Sequence, residues 1–147
     1  KRMNVKTPEC KLRLSEVVLM LAEAYCHKGD SEKALKWLNE LRRNRIEGVS
    51  DLTVGTLPEV REGDRIVVDC YGKPLTPLLQ AIFDERRKEM YMEGDRWYEL
   101  KRNGCPEWWI ISNGLKYTTK AYLYTSPISK SDVDLNPGLE QNPGYVY

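Results

Sequence analysis

The sequence predicts a mostly α fold: a helical hairpin, further helices, a long loop and an irregular C-terminal tail. Three observations carry this. Apolar residues recur at helical spacing from Leu12 to His27 and again from Ser31 to about Arg45. A later helical segment opens on Thr76-Pro77 and meets a glycine at Gly94. Elsewhere glycines, prolines and other turn formers dominate.

Each element has a local cause. Leu14, Val17, Val18, Leu21, Ala24 and Tyr25 place one apolar stripe on the first helix. Lys28-Gly29-Asp30 breaks it, with Gly29 suited to the left-handed cap and Asp30 or Ser31 to the next N-cap. The second helix should bury Ala34, Leu38 and Leu41, with Leu35 and Trp37 at the margins. A short turn between two such helices makes an antiparallel hairpin. Ala22 and Ala34 are small where the helices would cross, an arrangement similar to a tetratricopeptide repeat with Val18 at the usual tryptophan position. One such unit cannot cover both of its faces and needs neighbours.

Residues 47–75 read as a loop insertion with a short strand at Arg65–Asp69. Thr76 caps the next helix and Pro77 fits its first position, where a missing N–H costs nothing. That helix should run to about Glu93, and Asp95 should cap a short successor through Lys101. Trp108–Ile111 reads as strand or turn, Tyr117–Tyr124 as a short strand, and the rest as an ordered tail. The divisions are therefore 1–46 hairpin, 47–75 loop, 76–104 helices and 105–147 tail.

Composition excludes several classes. The 147 residues suit one domain, and charged residues, 31% of the chain, nearly cancel to +1. There is no basic excess or stripe of the kind nucleic acid requires. No apolar run approaches the ~20 residues of a membrane span. Lys1–Lys6 has neither an apolar core nor a cleavage site, so no signal peptide is expected in this stretch. Cys10, Cys26, Cys70 and Cys105 are too dispersed for a metal or redox motif. Cys10 and Cys26 flank one helix, roughly 24 Å apart at 1.5 Å per residue, beyond disulfide reach. A Cys70–Cys105 bond stays open beside free thiols. No cofactor or metal is implied: no phosphate-binding or nucleophile motif occurs, and His27, the lone histidine, sits where it suits a helix C-terminus. Asp132-x-Asp134-x-Asn136 resembles the opening of a calcium loop, but Pro137 and Pro143 occupy positions needing glycine and glutamate.

The densest chemistry lies in Gln80–Gly104. Glu85 and Glu89 stand one turn apart and Glu93 continues the row, on a side shared with Leu78, Ile82 and Met92. Two carboxylates invite a glycosidase reading, but such pairs normally face each other across a cleft from different elements. Structural pairing with Arg13, Arg86 or Arg96 is the favoured expectation, because buried charges survive when paired. Loss of Glu89 or Arg96 is then expected to destabilise the fold. Trp108, Trp109 and Tyr71 lie in predicted loops and are the candidates for stacking on sugar rings, whereas Trp97 and Trp37 are expected in the core.

Three stretches together resemble the C-terminal part of the SusD/RagB family. The first runs Leu12 to Ala24, with Arg13, Ser15-Glu16, Leu19-Met20 and Ala22-Glu23-Ala24, followed by Asn39 and Arg42. The second is Glu85-Arg86 with Glu89, Glu93-Gly94, Arg96-Trp97 and Leu100 with Arg102; Met90 and Glu99 replace the family's leucine and aspartate. The third is Pro127-Ile128, Asn136-Pro137 and Gln141-Asn142-Pro143-Gly144-Tyr145, with Ser129 in place of a second proline. The resemblance implies a C-terminal fragment of a larger outer-membrane lipoprotein, whose lipid anchor and upstream helices lie outside this segment. It implies no enzyme. The whole protein would capture a glycan or other nutrient at the cell surface and deliver it to a TonB-dependent transporter of the SusC type. This segment would be chiefly scaffold, packed on the missing upstream part. The alternatives are a tetratricopeptide-type adaptor that binds peptides and, less suited to these motifs, an α-helical glycosidase.

Overall fold

The computed structural model describes residues 12–61, 66–112 and 114–146. The chain groups into two compact units, one of residues 1–60 with 76–96 and the other of residues 61–75 with 97–147.

The first unit is helical. Helix α1 spans Leu14–His27 and α2 spans Ser31–Arg43. Between them Gly29 takes φ +78°, the conformation a side chain would resist. The Asp30 carboxylate accepts from the Lys33 amide at 3.1 Å and starts α2. Helix α3 spans Pro77–Glu89, with the Thr76 hydroxyl accepting from the Leu79 amide at 3.3 Å. The three helices share one core of Leu19, Ala22, Ala34, Leu35, Leu38, Leu41, Leu78, Ala81 and Ile82. Ala22 and Ala34 are fully buried, so α1 and α2 approach closely. Leu19, Leu38 and Ile82 are also fully enclosed, each worth about 1.5–3 kcal/mol. Buried Asn39 ties the following loop to α2: its amide group donates to the Leu52 carbonyl at 2.8 Å and its oxygen accepts from the Leu52 amide at 2.8 Å.

Two helix ends differ from expectation. Helix α3 stops at Glu89, not at Glu93. The Arg13 guanidinium donates to the Glu89 carbonyl oxygen, which a further helical turn would need. Met92 then takes φ +66° and Gly94 φ +80°, so residues 90–94 turn instead of coiling. Helix α2 stops at Arg43, two residues early, where the Asn44 side chain donates to the Glu40 carbonyl at 2.7 Å.

Helix α4 spans Asp95–Arg102. In the second unit, strands β1 (Trp108–Ser112) and β2 (Leu115–Thr119) pair antiparallel, with Trp108 opposite Thr119 and Ser112 opposite Leu115. The strand expected over Tyr117–Tyr124 therefore ends early, and Ala121–Tyr124 is a 3₁₀ turn. Its cause is Tyr124, which is buried, donates to the Pro106 carbonyl at 2.9 Å and stacks on Trp97 at 4.5 Å. Trp97, expected in the core, remains 38% exposed because only one face is covered. Of the strand expected at Arg65–Asp69, Arg65 falls outside the described residues; the rest forms a single bridge, Val68 to Pro74.

The tail carries a short helix, α5 (Lys130–Leu135), and is fastened by side chains. Gln141 accepts from the Ile128 amide at 2.8 Å and donates to the Ile128 carbonyl at 2.9 Å, imitating a strand partner. Asn142 donates to the Ser126 carbonyl at 2.7 Å, and the Tyr145 hydroxyl to the Thr125 carbonyl at 2.7 Å. Gly144, at φ +88°, lies under Tyr122, whose Cγ would be 2.5 Å from an added Cβ. Gly144→Ala is expected to cost about 2–4 kcal/mol, adding left-handed strain to overpacking. A shift in urea midpoint measures it, and an unchanged midpoint contradicts this packing.

Candidate functional site

Charged groups of the first unit converge on the end of α3. Arg13 precedes α1 in extended conformation, so its side chain reaches across to α3 instead of following the helix. Its Nη1 donates to Glu89 Oε1 at 2.6 Å, and its Nε donates to Glu93 Oε2 at 2.9 Å. Arg45, just past α2, donates from Nε and Nη2 to the two Glu89 oxygens, each at 2.9 Å. One carboxylate thus joins the start of α1 to the ends of α2 and α3. Hydrogen bonding from Arg45 holds the Glu89 carboxyl down at about 2 against the opposing effect of burial, with the charges of Arg45 and Arg13 adding to it.

A second knot lies along α3. Arg86 is 7% exposed and donates to both Asp95 oxygens, from Nε at 2.8 Å and from Nη2 at 2.7 Å. The same Nη2 lies 3.4 Å from Glu16 of α1. Bidentate, charge-assisted bonds of this kind are both stronger and more directional than a single contact. Buried Glu85 faces Lys88 at 3.2 Å and Arg42 at 4.0 Å.

The sequence-selected charges therefore sort as follows. Arg13, Glu89 and Glu93 come together, and Arg86 pairs with Asp95 and Glu16. Glu85 points to a different set of cations from Glu89, so the two do not form a shared acid pair. Arg96 is half-buried at the start of α4. Arg45 was not among the residues selected from sequence, although a cation at a helix C-terminus is its signal.

The aromatic candidates separate differently. Tyr71 is 70% exposed at the tip of a tight turn. Buried Asp69 holds that turn: its carboxylate accepts from the Tyr71 amide at 2.9 Å and the Lys73 amide at 2.8 Å, while its own amide donates to the Lys73 carbonyl at 2.8 Å. Trp108 and Trp109 lie on β1, and their side chains fall outside the described ones. Trp37 is half-buried rather than enclosed. Cys26, Cys70 and Cys105 are free thiols, so Cys70 and Cys105 are not joined; Cys10 lies outside the described residues. The Asp132–Asn136 stretch is mostly helix α5, with Asp134 paired to Lys130 at 2.9 Å. No described helix is long and apolar enough to cross a membrane.

Comparison with known proteins gives a consistent result. The model of the SusD family matches residues 1–145. A SusD-like protein, P38, of Formosa agariphila is 31% identical over 134 residues, 90% of this chain and 24% of that protein. A solved structure from Bacteroides vulgatus, described as a sugar-binding protein, is 32% identical with a TM-score of 0.62, over 92% of this chain and 28% of its own. A SusD-like protein from Bacteroides fragilis is 27% identical with a TM-score of 0.58, over 91% of this chain and 25% of its own. The chain thus spans about a quarter of the length of the relatives it matches.

Proposed function

The chain belongs to the SusD family, and we propose that it forms a scaffold portion of a cell-surface, lipid-anchored protein that binds glycans without reacting with them. The observation that carries this reading is the state of Glu89. A general acid must hold its proton near neutral pH, and a carboxyl held at about 2 does not. A nucleophile or base needs an unencumbered oxygen, and both Glu89 oxygens are occupied by guanidinium groups. Those carboxylates act as joints between helices. A structural relative described as sugar-binding supports glycan as the ligand class.

The domain assignment follows the same proposal: residues 1–147 act as the C-terminal portion of a larger SusD-like domain in the outer membrane. The ligand would pass to a TonB-dependent transporter of the SusC type. Tyr71, Trp108 and Trp109 are the proposed contacts if this segment touches ligand. Tyr71 suits the role best, because its turn is fixed before any ligand arrives and the residue is largely exposed.

The test is calorimetric titration of the complete gene product with a panel of oligosaccharides, with chromatography of the mixtures. Binding with no new reducing ends is expected. Tyr71→Ala should weaken binding about tenfold, near 1.4 kcal/mol, while leaving the melting temperature unchanged. Turnover abolished by Glu89→Gln in a folded protein would overturn the reading.

A further inference from the structure

The turn that ends α4 places a labile peptide in an enclosed site. Gly104 takes φ +85°, and a Cβ there would stand 2.5 Å from Val68 Cγ2, so the turn requires glycine at this position. The residue before it is Asn103, only 1% exposed. An asparagine followed by glycine is chemically prone to deamidation, because no side chain shields the glycine nitrogen from the asparagine carboxamide. The Gly104 nitrogen attacks Asn103 Cγ, the Cγ–Nδ2 bond breaks, and ammonia leaves with the displaced proton. Water then opens the five-membered imide to aspartate or isoaspartate.

The folded turn holds this attack off. Asn103 Nδ2 donates to the Glu99 carbonyl at 2.8 Å, and the Asn103 backbone N–H is shared between the Glu99 and Leu100 carbonyls at 3.1 and 3.2 Å. The Cys105 amide donates to the same Leu100 carbonyl at 3.1 Å. The carboxamide must leave Glu99 before it can swing onto Gly104. Once formed, the product does not fit back. An oxygen would replace Nδ2 against the Glu99 carbonyl, two acceptors with no proton between them. The other oxygen gains nothing, since Asn103 Oδ1 is already buried without a hydrogen-bond donor. A carboxylate enclosed there is unpaired on both oxygens. Isoaspartate also adds a backbone methylene beside Gly104, where Val68 leaves no room. We propose that Asn103-Gly104 is a site of spontaneous deamidation, silent in the folded protein and reactive when the second unit opens, so that the reaction makes a reversible opening permanent. The inference uses neither the family nor the ligand.

Peptide mapping of the complete gene product tests it, after incubation at mildly alkaline pH with and without urea. Cleavage after Lys101 and Lys116 gives one peptide holding both Asn103-Gly104 and Asn113-Gly114, and fragment ions assign the converted residue. In urea the two pairs should convert at comparable rates. In the folded protein Asn103 is expected to convert about a hundredfold or more slowly than in urea. On return to buffer, folded protein recovered by gel filtration should carry intact Asn103, with the converted chains left in the aggregated fraction. Conversion of folded Asn103 at its urea rate overturns the proposal, as does an inert Asn103 in urea that converts Asn113. Converted Asn103 at equal abundance in the refolded and aggregated fractions overturns it too. Asn103→Asp installs the product directly and should lower the melting temperature or yield no folded protein; the parent melting temperature in that variant would contradict the proposal.

Discussion

Replacing Glu89 by alanine is expected to lower the unfolding free energy by about 3–5 kcal/mol. Arg13 would lose its 2.6 Å bond and be left with Glu93, and Arg45 would lose both of its 2.9 Å bonds, leaving two guanidinium groups around an emptied carboxylate site. Their mutual repulsion adds to the loss. The entry of α1 would keep Arg13 on Glu93 and Glu16 on Arg86, but the side chain that ties it to the exit of α2 would be gone. Whole domains have only about 5–15 kcal/mol to lose, so the urea transition should move far or cease to be cooperative. A shift below about 1 kcal/mol, the usual scale of an exposed pair, would show that the knot is decorative.

Asp95→Ala should have an effect of similar size by a different route. It strips Arg86 of its bidentate partner while the guanidinium stays enclosed and Glu16 stays at 3.4 Å. A desolvated cation that loses its main counter-charge costs about 3–5 kcal/mol. Asp95→Asn keeps the shape and one acceptor, and is expected to recover part of that loss. Lys130→Ala provides the contrast. Its 2.9 Å pair with Asp134 is open to solvent on both sides, so its removal should cost within about 0.5 kcal/mol. Distance alone does not rank these pairs; enclosure does. Equal melting temperatures for Asp95→Ala and the parent protein would contradict that ranking.

Much of the helical half was legible in the sequence because its causes are local. Gly29, Asp30, Thr76 and Pro77 mark helix ends through their own backbone preferences, and the structure puts them there. The mostly α class and the family follow from those segments and from the motif order. The end of α3 was not legible. Glu93 keeps helical spacing, but a guanidinium from Arg13, seventy-six residues earlier than Glu89, takes the carbonyl on which the next turn depends. The partner of Glu89 was hidden for the same reason: Arg45 lies forty-four residues away, and only packing of α2 against α3 brings it near. The 3₁₀ turn at Ala121–Tyr124 reflects the burial of Tyr124 against Trp97, a tertiary demand that alternation along the chain does not record. Among the candidate ligand contacts, exposure of Tyr71 followed from its place in the predicted loop, whereas the grip of Asp69 on its turn did not announce itself.

The central claim is that these carboxylates serve as fastenings, and it has a signature in acid. Glu89 titrates near 4.5 when unfolded and at about 2 when folded. A lowered pKa adds stability above the unfolded value, and that stability drains away as pH falls toward the folded one. The difference corresponds to about 3 kcal/mol between pH 5 and pH 2. The most direct measurement is unfolding free energy against pH for the parent protein and for Glu89→Gln. The parent curve should fall more steeply through that acid window, so that the two converge by about pH 2. Curves that stay parallel from neutral pH to pH 2 would mean that Glu89 is not clamped, and the account of this site as a structural joint would fail.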